Sequence, residues 1–225
     1  CTDEVIIIDS GSTDRTVDLA KVHGAKVSFR AWTDDFSAQR NFALEQTSAD
    51  WVLYLDADER LNDALITEVK RIVASGKIDA QYAITRKSVA FGVTFSYGVL
   101  YPDHVLRMFP REGVTWVNKV HEHPECPLPA KRLPGYIEHH TYKDWHQWEE
   151  KLCLYTTIWA EDAYRRGKRT TLPGIFTHSL GGFFKMFFVR RGFLDGYLGM
   201  YMCCNHFFYT MLKYLKLHEL QRRGA

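Results

Sequence analysis

Residues Trp51–Glu59 read WVLYLDADE. An unbroken apolar run that ends in two carboxylates, one residue apart, is the pattern of a buried parallel strand opening on a polar loop. Upstream, Glu4–Asp9 (EVIIID) repeats the pattern and runs into Ser10-Gly11-Ser12-Thr13-Asp14. Between the two lie a helical spacing of Val17, Leu19, Ala20 and Val22, a stop at Gly24, and a short strand over Lys26–Phe29. A further helix capped by Ser37 runs to about Gln46. After WVLYL a helix from Asn62 to Ser75 carries Leu65, Ile66, Val69, Ile72 and Val73 at helical spacing, and Gly76 ends it. Strand and helix therefore alternate three times with short connections, which predicts a doubly wound α/β sheet.

The pattern then changes. Gln81 to about Trp116 is β-rich, and Pro124, Pro127, Pro129 and Pro134 predict a loop over 124–135. A long helix is expected from Asp144 to about Arg166, followed by a break near Pro173 and two helical stretches divided near Gly192. The boundary proposed from these changes puts one domain at 1–142 and a helical extension at 143–225.

Composition bounds the function classes. Of 225 residues, 46% are hydrophobic and 25% charged, which supports a sizeable core. The net charge of +2 is a cancellation: residues 165–225 hold eleven Lys/Arg against Asp195 and Glu219, or +9, and residues 1–164 carry −7. An acidic body with a basic, aromatic tail argues against a uniformly basic nucleic-acid binder. Five cysteines at 1, 126, 153, 203 and 204, without CxxC spacing, read as reduced thiols of a cytosolic protein. The longest uncharged stretch, Gly196–Leu212, has 17 residues and includes Asn205 and His206, short of the ~20 apolar residues of a spanning helix.

Ligands of open α/β sheets bind beyond the carboxyl ends of the strands, where Asp9, Asp56 and Asp58 fall. In Asp-Ala-Asp, one carboxylate can take a hydroxyl pair and the other a hard divalent cation that also binds phosphate oxygens. Together DSGSTD, QRNFAL (39–44) and WVLYLDADE resemble the nucleotide-sugar half of glycosyltransferase family 2, with its GT-A fold. FPREGVTWVNKVHEHP (109–124) and EHHTY (138–142) are similar to the bacterial WaaE/KdtX branch, which adds a sugar to the lipopolysaccharide core.

That resemblance implies an α/β, Rossmann-like GT-A sheet with a C-terminal helical extension. It also implies an inverting, metal-dependent transfer of a sugar, glucose first, from a UDP-sugar to a glycolipid hydroxyl. Asp9 then matches the acid that recognises uracil, with Ser12 and Asp14 in the same loop. Asp56 matches the contact to the ribose and metal region, Asp58 the principal ligand of Mg2+ or Mn2+, and Arg40 and Asn41 the RN pair beside the nucleotide. Many relatives carry the general base in an ED-like motif. Here Val120–His123 reads VHEH, and Glu122 is the expected base, with His121, His123 and Glu125 as the alternatives nearby. Arg107 and His121, with Asp103, are placed on the acceptor side, and His139 and His140 among structural or acceptor-side polar residues. The first strand and helix of such a domain are expected to precede Glu4, so that this stretch alone is expected to be unstable or inactive.

The tail carries a separate expectation. At roughly 100° per residue, Asp195, Asn205, His206, Lys213 and Lys216 share about a third of one helix circumference, although Leu198, Met202 and Tyr209 intrude. The remainder is apolar and aromatic, and FFKMFFVRRGF (183–193) precedes it. This predicts an amphipathic, membrane-associating element on an anionic lipid surface, at the inner face of the cytoplasmic membrane; a helix packed on the protein is the alternative. Two further functional readings are weaker. A haloacid dehalogenase-type phosphatase shares an acid-x-acid strand end, but Glu59 and Arg60 follow Asp58 in place of its usual Thr or Val. A non-catalytic family member would bind the nucleotide-sugar without turnover.

Overall fold

A computed structural model describes residues 2–118 and 122–224. The elements follow in the order β1 (Ile6–Asp9), α1 (Thr16–Val22), β2 (Lys26–Phe29), α2 (Phe36–Glu45), β3 (Trp51–Leu53), β4 (Glu59–Leu61) and α3 (Asp63–Ala74). Then come β5 (Gln81–Ala90), β6 (Val93–Thr94), β7 (Asp103–Pro110), β8 (Thr115–Val117), β9 (His123–Glu125) and β10 (Ala130–Tyr142). Helices α4 (Trp145–Arg165), α5 (Leu172–Phe184) and α6 (Gly196–Arg223) complete the chain. The expected mixed α/β architecture with C-terminal helices is the one found.

Its strand pairing is more particular than the alternation of elements predicts. β1 pairs in parallel with β2, from Ile6↔Lys26 to Asp9↔Phe29. β3 does not join them: it is the edge of a six-stranded sheet ordered β3-β7-β5-β10-β4, with β6 on β5, and it lies antiparallel to β7. A continuous apolar run signals that a strand is buried but carries no information about its neighbour, so periodicity left this open. The proline-rich stretch is also ordered. β9 pairs with β8, placing Pro124 opposite Trp116, and Pro134 lies within β10. Proline lacks a donor but keeps its carbonyl, and Pro129 uses it to accept from the Gln81 amide (3.0 Å). Beside Pro134, Gly135 has φ +88°, and a Cβ there would stand 2.5 Å from the Leu65 nitrogen. Only glycine permits both that backbone and that approach.

The chain forms two compact units that interleave in sequence. One comprises 1–57, 61–85 and 104–137; the other comprises 58–60, 86–103 and 138–225. In the first, Leu65, Val69 and Ile72 of α3 pack on Tyr82, Ile84, Met108 and Ile137 of the sheet strands. The Asn62 side chain fixes this packing, because its Oδ1 accepts from the amides of Leu65, capping α3, and of Tyr136. The N-cap of helix α2 lies two residues before the expected one. Asp35 is the N-cap, accepting from the Ala38 amide, while Ser37 is buried and donates to the Asn118 carbonyl (2.6 Å).

The second unit is mainly helical. Asp144 caps α4, and Pro173 sits in the first turn of α5, where its missing N–H costs nothing. α5 and α6 are antiparallel: His178 stacks on Tyr214 (4.5 Å), and the later Gly182 lies against the earlier His206. Between these helices a π-helical turn over Lys185–Val189 leads to a short 3-10 turn at Gly192–Asp195. Asp195 accepts from the amides of Ser96 and Tyr97, and Lys216 donates to the Cys153 carbonyl and the hydroxyls of Thr156 and Thr157. Asp195, Lys213 and Lys216 of the predicted polar stripe therefore turn to the protein, where they have partners. No helix among the described residues is long and apolar enough to cross a membrane.

Candidate active site

The first unit gathers its polar side chains around Asp56, just beyond β3. Arg40, on α2, donates from Nη2 to Asp56 Oδ1 (3.1 Å), and Arg107, on β7, donates from Nη2 to Asp56 Oδ2 (2.7 Å). The same Arg40 Nη2 stands 3.6 Å from Glu122 Oε1. One guanidinium thus spans the carboxylate expected at the nucleotide and the carboxylate expected to act as base. Burial alone would raise the Asp56 pKa, but the charges and hydrogen bonds of Arg107 and Arg40 outweigh it and hold the carboxyl below its ordinary value.

Aromatic rings fix Arg40. Its guanidinium lies 4.6 Å from the Trp116 ring centroid and 5.8 Å from that of Tyr54, whose hydroxyl donates to the Arg40 carbonyl (3.1 Å). Burial raises the Tyr54 pKa to about 12, so the phenol keeps the proton that this bond requires. Trp116 is held by Asn41, which exchanges two 2.8 Å bonds with the Trp116 backbone through its amide nitrogen and oxygen. Asn41, matched by resemblance to the RN pair beside the nucleotide, thereby anchors β8 in this structure. Neighbouring helix residues point about 100° apart, so its side chain and that of Arg40 meet different partners.

Asp9 binds its own loop. Its carboxylate accepts from the Ser12 hydroxyl (2.5 Å) and from the amides of Gly11 (2.9 Å) and Ser12 (3.2 Å), and these bonds lower its pKa. The loop after β1 is thus shaped by Asp9 itself. Gln39 ties it to α2, donating to the Ser10 hydroxyl (2.6 Å) one residue before Arg40. Asp14 accepts from the Thr16 amide at the start of α1, and its pKa is lowered by the Thr16 side chain and amide. The structure therefore joins Arg40, Asp56, Arg107 and Glu122, and separately joins Asp9 and Ser12. Arg107, expected on the acceptor side, turns to Asp56. His121 lies outside the described residues.

Asp58 belongs to the second unit. Its Oδ2 is 3.2 Å from His139 Nε2, and its backbone carbonyl accepts from the His140 amide (2.9 Å). Thr141 Oγ1 lies 3.2 Å from the other ring nitrogen of His139. In the same unit, Arg86 holds Asp103 through two bonds of 3.1 and 2.7 Å and lies 3.6 Å from the fully buried Glu59 carboxylate. His139 was not placed at Asp58 by the sequence, because the two are 81 residues apart and only strand pairing brings them together. Among the described residues no group of three or more His, Cys, Asp or Glu could enclose a metal ion by itself.

The sequence profile described as Glycosyl transferase family 2 matches residues 1–114, just over half of the chain. The chain belongs to this family. An uncharacterized glycosyltransferase of Rickettsia typhi is 29% identical over 99% of this chain and 80% of its own length. The SPbeta prophage-derived glycosyltransferase SunS of Bacillus subtilis is 34% identical, over 54% of this chain and 28% of its own. Among solved structures, S. aureus TarS 1-349 aligns over 99% of this chain and 82% of that one, at 13% identity and a TM-score of 0.41. Membership in family 2 makes the chain a glycosyltransferase, and neither the phosphatase nor the non-catalytic alternative gains support.

Proposed function

We propose that this family 2 glycosyltransferase moves a hexose, glucose in the first instance, from a UDP-sugar to a hydroxyl of a lipopolysaccharide core or related glycolipid, with inversion. The observation that carries the reading is the Arg40 bridge between Asp56 and Glu122. Two carboxylates assigned on separate grounds, one to the donor and one to the acceptor, meet at one cation.

In this reading, the acceptor oxygen attacks the anomeric carbon as its proton passes to the Glu122 carboxylate, and the bond from that carbon to the diphosphate oxygen breaks, its electron pair leaving with UDP. Arg40 and Arg107 place positive charge where the leaving group gains negative charge. Asp9, Ser12 and Asp14 line the nucleotide side, with Asn41 acting through Trp116 and Arg40. His121 belongs to the acceptor side.

The oxygens of Asp58 and Asp56 are of the hard type that Mg2+ and Mn2+ bind. Asp58, half exposed, offers a hard oxygen beside the His139 nitrogen, and Asp56, two residues earlier, offers oxygens that already accept from arginines. Few protein ligands fit a cation that shares its sphere with phosphate, not an all-protein cage. Asp58 would hold it. When bound, the cation neutralises charge on the diphosphate.

A UDP-sugar panel, with a lipopolysaccharide-core acceptor and the anomer read by NMR, tests the proposal. One UDP-hexose should be transferred with inversion, and Asp58→Asn should weaken Mn2+-dependent UDP binding about tenfold or more by calorimetry. Retention of configuration, transfer from a different nucleotide class alone, or Mn2+-independent UDP binding would overturn it.

A further inference from the structure

The helices α5 and α6 both turn large apolar and aromatic side chains outward. On α6, Tyr197, Tyr201, Phe208 and Leu215 fall on one face, and all four are exposed. The opposite face, with Met202, Tyr214 and Leu217, is the one turned into the protein, and Lys213 and Lys216 find partners at its border. On α5, Leu172, Phe176, Leu180 and Phe184 recur every fourth residue, and Phe188 continues the series. In an α-helix such a row drifts by about 40° per step. The π-helical turn over Lys185–Val189 rewinds the last step, and Phe188 stacks on Phe184 (centroids 5.6 Å apart). These aromatic side chains remain about half exposed, and Val189 beside them is 75% exposed.

Charge selects what covers this face. Lys185 lies within the aromatic row and Arg191 just beyond it, both exposed. The two acids of residues 165–225 are engaged elsewhere: Asp195 by the amides of Ser96 and Tyr97, and Glu219 by Arg223 (2.5 Å). A second copy docking through the same patch would set Lys185 and Arg191 against like charge. An anionic bilayer is complementary to both the rings and the bases.

We infer that the exposed aromatic face of α5, its π-helical turn and α6 lies in the interface of an anionic phospholipid bilayer, parallel to the membrane plane. Asp195, Asn205, His206, Lys213 and Lys216, the stripe expected to face away from lipid into water, instead serve packing. The inference concerns attachment and does not depend on the donor, acceptor or base named above.

Flotation of the full chain with vesicles tests it. Vesicles containing ~30% phosphatidylglycerol should carry the protein at least about tenfold better than pure phosphatidylcholine, and salt should reduce the difference. Phe184→Glu with Phe188→Glu should lower partition about tenfold or more, and Lys185→Glu about fivefold. Tyr197→Glu with Phe208→Glu, on the other helix, should act like the first pair, with circular dichroism reporting an unchanged fold. Wild-type protein that stays unbound, binds both vesicles equally, or keeps its partition in the folded variants overturns the inference. So does a concentration-dependent dimer, seen by light scattering, that these substitutions abolish without a change in lipid binding.

Discussion

The Asp56 cluster and the α4–α6 bundle both hold cations away from bulk water, by opposite means. At Asp56, Arg40 and Arg107 meet carboxylates, and Glu122 lies within 3.6 Å of one of them. In the bundle, Lys213 lies over the rings of Trp159 (4.8 Å) and Tyr209 (5.3 Å), while Lys216 is taken up by a carbonyl and two threonine hydroxyls. Burial and the nearby charge of Lys168 lower the Lys213 pKa, whereas the Asp56 carboxyl is pulled down by its arginines. Paired opposite charges keep the Asp56 carboxyl ionised. Cations satisfied by rings and neutral oxygens hold helices together, which leaves apolar side chains to face outward.

The comparison breaks most visibly at Asp56. Asp56→Asn removes an anionic partner of Arg107, whose side chain is only 5% exposed, and should lower stability by about 2 kcal/mol in a urea titration. Transfer should fall about a hundredfold. Unchanged stability would mean that the arginines do not depend on this carboxylate.

A smaller effect sharpens the other half. His206, stacked near Tyr209, has its pKa lowered to about 4 by burial first and then by the charges of Lys213, Arg190 and Lys185. Unfolded histidine binds its proton near 6.5, so stability is full above that value and declines as pH falls toward 4. The loss should reach about 2 kcal/mol near pH 5, and His206→Gln should flatten this part of the thermal stability profile. A wild-type profile that is already flat between about pH 7 and pH 5 would place His206 in water.

How far these regions were legible differs for physical reasons. Acid-tipped apolar runs mark strand ends, so Asp9, Asp56 and Asp58 could be singled out, and the helices from Asp63 and Trp145 follow from caps at Asn62 and Asp144, whereas Pro173, expected at a break, sits in the first turn of α5 behind its cap Thr171. Pairing across long separations could not be read: Arg107 to Asp56, Asn41 to Trp116 and Asp58 to His139 depend on which strand or helix lies alongside. The α6 stripe shows a further limit. Periodicity finds a polar face, but only neighbours decide whether that face meets water. Thr156 and Trp159 of α4 make the inward position acceptable to lysine.

The central claim is that Glu122 takes the acceptor proton beside an intact donor site. It is tested most directly by Glu122→Gln, with kcat for sugar transfer and Kd for UDP measured on the same preparation. Removing the base while preserving its shape should lower kcat about a thousandfold and leave UDP affinity within about twofold. A variant with near wild-type kcat, or one whose loss of transfer is matched by loss of UDP binding, would contradict the account.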